Sequence, residues 1–155
     1  MANSINKSDN RLNNKIDSLK IIHWNCNGIK SKLDVLTQFL NTHKPDIMSL
    51  NEIKLSELEA LLHLKEIAGY KGYFKCRNSN GGGVCILINR QIDHFEVTLD
   101  VATHLEIVGI QAKINGLNVA FLSYYNPPYS SYFPFRLDTT VFEYIEKSFQ
   151  HYRAV

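Results

Sequence analysis

Apolar positions along the chain fall into short runs and helical stripes. Leu19 to Asn25 is a run of apolar, β-branched and aromatic residues and predicts a strand, closed by an Asn27-Gly28 turn. From Lys32 to Thr42 the apolar residues Leu33, Leu36, Phe39 and Leu40 recur at helical spacing, and His43-Lys44-Pro45 ends the helix they predict. Asp46 to Leu50 predicts a second, buried strand, so the chain opens as strand, helix, strand, the unit of parallel or mixed sheets. Ser56-x-x-Glu59 has the form of a capping box, and Leu58, Leu61, Leu62 and Lys65 follow at helical spacing. Tyr70 to Cys76 and Val84 to Ile88 predict a hairpin around the turn residues 78–83. Thr103 to Ile114 and Leu117 to Tyr125 predict another around Asn115-Gly116, a pair that suits a type I′ turn. From Leu137 to Tyr152, Leu137, Val141, Tyr144, Ile145, Ser148, Phe149 and Tyr152 share one face, which predicts an amphipathic helix. The pattern is that of one α/β domain with a helix as its last element.

Composition changes this picture little. The chain has 155 residues, 45% hydrophobic and 21% charged, within the range of a globular domain. A net charge of +2 does not by itself argue for a polyanionic partner. The three cysteines, Cys26, Cys76 and Cys85, form no CxxC pair, which argues against a disulfide framework or a zinc site and for reduced, intracellular thiols. No apolar run approaches the roughly 18–20 residues of a membrane span, so no membrane partner is expected. Residues 1–18 are polar and Asn-rich, lack the apolar stretch of a signal peptide, and are expected to be a disordered lead.

Taken singly, the polar candidates carry little. Asn25 and Asn27 sit at a strand end and in a turn, where asparagine serves the backbone. Glu52 follows an apolar strand, a ligand position in many α/β folds and also an ordinary loop position. Tyr125 ends a strand before Asn126-Pro127-Pro128, where an aromatic residue commonly packs. Gly81-Gly82-Gly83 precedes a strand and lacks a dinucleotide fingerprint, so it is a tight turn. His23, His94 and His104 have no ligand-like spacing, and His43 closes a helix, so all four are expected to be structural. Lys30 and Lys54 flank the candidate site.

The combination says more. Trp24-Asn25-Cys26-Asn27-Gly28, Pro45-Asp46-Ile47 and Asn51-Glu52-Ile53-Lys54, in this order and spacing, resemble the opening of the endonuclease/exonuclease/phosphatase family. Gly81-Gly82-Gly83-Val84-Cys85-Ile86-Leu87-Ile88 and Tyr125-Asn126-Pro127-Pro128 are similar to stretches of the endonucleases of LINE retrotransposons, those of the jockey-like clade above all. The resemblance covers residues 19–155. It implies a DNase-I-like fold, here the N-terminal part of a two-sheet α/β sandwich with helices 32–42 and 137–152 on the outer faces. It departs from the family in Asn51 and Ile53, where Gln and Thr are usual, and in Asn27, where AP endonucleases carry Asp. The family's later Gly-Asp-x-Asn and Ser-Asp-His motifs do not occur in this sequence.

The resemblance implies a Mg²⁺-dependent endonuclease, with Mn²⁺ as a substitute, that nicks double-stranded DNA for retrotransposition. A reverse transcriptase domain would follow downstream, and the working place would be the nucleus. Asn25, Glu52 and Tyr125 are the expected catalytic residues, with Glu52 and Asn27 as metal ligands and all of them on one pocket rim. Mg²⁺ keeps several waters, so one or two carboxylates hold it. Because the later Asp, Asn and His motifs are absent, residues 19–155 are expected to be an incomplete domain, inactive and marginally stable alone. Two other readings stay open: a non-catalytic remnant or interaction fragment, and a lipid or phosphoinositide phosphodiesterase of the same fold.

Overall fold

The structure is a computed structural model that describes residues 18–101, 105–126, 143, 145 and 146. Strand β1 (Ile21–Asn25) leads through a 3-10 turn (Lys30–Lys32) into helix α1 (Leu33–His43) and strand β2 (Ile47–Asn51). Helix α2 (Glu57–His63), the two-residue strand β3 (Glu66–Ile67), β4 (Tyr70–Lys75), β5 (Val84–Asn89), β6 (His94–Val97), β7 (Glu106–Ile114) and β8 (Leu117–Tyr125) follow. Two sheets result, one ordered β1-β2-β5-β4-β3 and one ordered β6-β7-β8. Among the described strands, β1 and β2 pair in parallel, as the strand–helix–strand opening requires, and the other pairings are antiparallel.

The apolar rows of β5 explain the layering. Cys85 and Leu87 belong to a core shared with Leu36 and Leu40 of α1 and Ala60 at α2. Val84, Ile86 and Ile88 point the other way, into a core with Val108, Ile110 and Ala112 of β7. A strand buried on both faces has no polar alternation, which is why its sequence is uniformly apolar. The helices α1 and α2 therefore cover one face of the larger sheet and the smaller sheet covers the other, the α/β sandwich that the resemblance implies. Both residues of the Asn115-Gly116 turn have positive φ, 51° and 83°, as the hairpin demands.

Helix α1 starts and stops close to its predicted limits. Lys44 closes it in the left-handed conformation and donates its N–H to the Leu40 carbonyl, after which Pro45 cannot continue the helix. The capping box of α2 forms completely: Ser56 accepts from the Glu59 N–H, and the Glu59 carboxylate accepts from the Ser56 N–H at 3.0 Å. The apolar face expected for α2 is a different one. Leu58, Leu61 and Leu62 are exposed, whereas Ala60 and Leu64, an i,i+4 pair, are fully buried. The helix is seven residues long and meets the sheet with its small side, so Ala60 allows close approach and the leucine stripe faces away. Of the predicted helix 137–152, Glu143, Ile145 and Glu146 are helical and the other positions lie outside the described residues, as do residues 1–17 and His104.

Lys30 and Ser56 hold the Glu59 carboxyl well below its ordinary value, at about 2. A depressed carboxylate stabilises the fold above its unfolded value of 4.5, and that contribution is lost as pH falls toward about 2. Wild type should therefore lose its stability advantage over Glu59→Gln across that window in urea denaturation at stepped pH. An advantage that stays constant would exclude the linkage.

Candidate functional site

Because β1 and β2 run in parallel, with Asn25 opposite Asn51, both strands release their chains at the same sheet edge. The two chains stay paired beyond the ladder: Cys26 N–H donates to the Asn51 carbonyl at 2.9 Å, and Gly28 N–H to that of Glu52 at 2.7 Å. On the other side, the Ile53 and Lys54 N–H groups donate to the carbonyls of Gly83 and Gly82 at 3.2 and 2.9 Å. The segment around Glu52 is thus held from both flanks. Strand β8 ends above it, with Tyr125.

Three of the expected residues meet directly. Glu52 Oε1 accepts from Asn25 Nδ2 at 3.0 Å and from the Tyr125 hydroxyl at 2.8 Å. Asn27 stands next to them, its N–H donating to Asn25 Oδ1 at 3.2 Å. Lys54 closes the ring: its ammonium donates to Asn27 Oδ1 and lies 3.7 Å from Glu52 Oε2. Asn27, Glu52 and Lys54 all adopt positive φ, 43°, 55° and 51°. Non-glycine residues avoid this region unless the surroundings impose it, and such residues cluster at sites where side chains must be aimed.

The hydrogen bond from Asn25, then that from Tyr125, holds the Glu52 carboxyl below the usual carboxylate range, with Lys54 adding to both. Burial, and then Glu52 itself, pushes the Tyr125 hydroxyl up to about 12. At neutral pH the site therefore offers a fixed carboxylate, a neutral phenol donor and an ammonium group within one small cluster. The thiols are of another kind. Burial raises Cys26 to about 11 and Cys76 to about 12, and it raises Cys85 as well, so none is poised as a nucleophile.

Among the described residues no group of three or more His, Cys, Asp or Glu side chains gathers into a metal cage. The donor set at Glu52 fits a different kind of ion. One ionised carboxylate beside amide oxygens suits a hard cation that keeps most of its waters, as Mg²⁺ does, and does not suit a dehydrated, fully caged metal. Glu52 is the ionised side chain in this set that could serve as a ligand. The Asn27 oxygen is engaged by Lys54.

Sequence reasoning missed Ser49 and Ser123 and named Asn51 and His23 without their contacts. Asn51, which replaces the usual Gln, is 8% exposed and donates through Nδ2 to the Tyr124 carbonyl at 3.1 Å. Its Oδ1 accepts from Ser123 Oγ at 3.2 Å, and Ser123 Oγ lies 2.8 Å from Ser49 Oγ. His23 Nδ1 lies 3.1 Å from Ser49 Oγ. This polar chain ties β1 and β2 to the end of β8 and so sets where Tyr125 stands. The signal for it was a Ser or Asn interrupting an apolar strand. Ile53, in place of the usual Thr, is fully buried against Gly83. His94 is packed, its ring edge-on to Tyr73 at 5.7 Å. Lys30 pairs with Glu59 rather than with the site.

The probable RNA-directed DNA polymerase from transposon BS of Drosophila melanogaster is 26% identical over 114 residues, 73% of this chain and 12% of that protein. The probable RNA-directed DNA polymerase from transposon X-element of the same fly is 26% identical over 113 residues, again 12% of its length. The chain thus spans about an eighth of these curated relatives. Among solved structures, the endonuclease domain of TRAS1, a telomere-specific non-LTR retrotransposon, matches with a TM-score of 0.55 at 13% identity. That match covers 87% of this chain and 54% of the other, and it extends the two-sheet α/β architecture to a known, DNase-I-like example. Residues 22–147 match the endonuclease/exonuclease/phosphatase family over most of the chain, and the chain belongs to that family.

Proposed function

We propose that this chain is part of a Mg²⁺-dependent endonuclease that nicks double-stranded DNA for a non-LTR retrotransposon. The observation that carries the reading is the Glu52 carboxylate, ionised at the sheet edge, fixed by Asn25 and Tyr125 and faced by Lys54. Hydrolysis adds water to phosphorus, breaks one P–O bond to sugar and delivers a proton to the departing oxygen. Glu52 would hold a hydrated Mg²⁺, or Mn²⁺ in its place, and the Asn27 oxygen, now engaged by Lys54, would be the second ligand. The ion supplies charge neutralisation at the phosphoryl oxygens and a more acidic water. Asn25 keeps Glu52 oriented, Tyr125 donates to Glu52 or to a phosphate oxygen, and Lys54 binds the backbone anion.

In this reading a reverse transcriptase is the companion domain, as the names of the curated relatives suggest, and the nucleus is the working compartment. Among the described residues no helix is long and apolar enough to cross a membrane. This reading assigns no general base among the 155 residues, which carry neither the Gly-Asp-x-Asn nor the Ser-Asp-His motif.

The test is plasmid nicking with Mg²⁺ and with EDTA. It compares the 155-residue chain with a chimera carried through both motifs by the C-terminal half of a relative's domain. Nicking by the chimera, stopped by EDTA, is the expected result. A chimera that leaves DNA intact but cleaves phosphoinositide or sphingomyelin would overturn the DNA reading, and a chimera inert on all three favours the remnant. In the active chimera, Tyr125→Phe removes a hydrogen bond to a charged group, worth about 1.5–3 kcal/mol. Its kcat/KM should fall roughly 10- to 100-fold; unchanged kinetics would take Tyr125 out of the site.

A further inference from the structure

Residues Glu106, Val108, Ile110 and Ala112 occupy alternate positions on β7, one face of the strand. The last three are core residues between the sheets, and the first, in the same row, is a carboxylate only 3% exposed. Packing alone would put an apolar side chain there, because a buried charge is costly unless its oxygens are satisfied. Glu106 Oε2 accepts from the Gly83 N–H, and Oε1 lies 3.2 Å from Arg77 Nη1. Glu106 is also the cross-strand partner of Tyr125. The approach depends on glycine: a Cβ on Gly82 would run into both Glu106 oxygens, and one on Gly83 would lie 2.6 Å from Ile53 Cγ1. Gly82 and Gly83 are the residues whose carbonyls receive the Lys54 and Ile53 N–H groups.

We propose that Glu106 is a positioning residue for the candidate site. Its carboxylate anchors the Gly82-Gly83 backbone, and that backbone holds the Glu52–Lys54 kink in its left-handed conformation. The path is continuous: Glu106 to Gly83 N–H, Gly83 and Gly82 carbonyls to Ile53 and Lys54, with Glu52 between β2 and those two anchors. Burial raises the Glu106 carboxyl, while the Gly83 N–H and then Arg77 pull it back, the balance expected of a carboxylate retained for its hydrogen bond. The claim rests on the reading of Glu52 as the reactive carboxylate, and it adds a second acidic residue that acts without touching the substrate.

Amide hydrogen exchange read by NMR on the 155-residue chain tests it. In wild type the Gly83, Ile53 and Lys54 amides should exchange slowly. Glu106→Met fills the volume without an acceptor and should speed exchange at those three amides by roughly 10- to 100-fold. Ile86 and Leu87 in β5 should change by less than about threefold. Glu106→Gln keeps an oxygen for Gly83 and should restore Ile53 and Lys54. Broadening of resonances around Glu52 by Mn²⁺ should weaken in the Met variant and return in the Gln variant. The proposal is overturned by a Met variant whose Ile53 and Lys54 stay slow, by one whose exchange rises equally throughout β5, or by a Gln variant no better than Met. A freely exchanging Gly83 amide in wild type overturns it without any variant. Mn²⁺ broadening that survives Glu52→Ala would remove the metal reading separately, and the exchange pattern would still decide Glu106.

Discussion

Replacing Glu52 by alanine in the active chimera should cut Mg²⁺-dependent nicking by about a thousandfold or more, the scale of losing a metal's charge stabilisation in phosphoryl transfer. Oε1 of this carboxylate collects the donors of Asn25 and Tyr125, and Oε2 faces Lys54. In its absence those three groups confront a phosphate with nothing to hold the ion between them. Folding should be spared, because the side chain lies at the rim and its partners regain water. Plasmid nicking with a thermal melt of the same protein makes the measurement. Cleavage that persists in Glu52→Ala, or cleavage in EDTA, would remove Glu52 from the metal role.

The second large effect belongs to the fold. Gly72→Ala should cost about 3 kcal/mol or more, the upper range for forcing extra volume into a packed interior. A Cβ at Gly72 would collide with the Leu64 carbonyl oxygen and lie 3.2 Å from Leu87 Cδ2. Backbone cannot step aside as a flexible side chain can. The Gly72 N–H also donates to the Lys65 carbonyl at 3.0 Å, so strand and helix end are locked together. Relief requires lifting the end of α2 from the sheet, which uncovers Ala60 and Leu64. Against a total of roughly 5–15 kcal/mol this is a large fraction. A urea midpoint shifted by less than the equivalent of about 1 kcal/mol would refute it.

The sequence carried the architecture where one local signal sufficed. The apolar row of β5, the Ser56/Glu59 box, the Pro45 stop and the Asn115-Gly116 turn each have a single physical reading, and each appears in the structure. Strand β6 did not stand out, because His94, Phe95 and Glu96 neither alternate nor form an apolar run. Helix α2 misled because three leucines at helical spacing outweigh one alanine in any pattern, while packing selected the side that lets backbones approach. At the site, Asn25, Glu52 and Tyr125 were legible through motif order, since parallel pairing brings motif ends to one edge. Lys54 and Asn51 were named there without their contacts, and Ser123 and Glu106 were not named at all, because no motif marks their partners: the Asn27 oxygen, the Ser49 hydroxyl and the backbone of a glycine turn. A polar residue in an apolar row is the only trace such a contact leaves in a sequence.

The left-handed backbone at Asn27, Glu52 and Lys54 sets two demands on the same few residues against each other. Each non-glycine residue in that conformation costs about 1 kcal/mol, somewhat less for asparagine. Glycine at 52 or 54 would relieve the backbone while deleting the carboxylate or the ammonium group. Selection acting on stability alone would therefore erode the site at those two positions first, and Asn27, the most tolerant of the three, would change last. Among relatives of this sequence, residues 52 and 54 should therefore separate selection on the proposed chemistry from selection on folding alone.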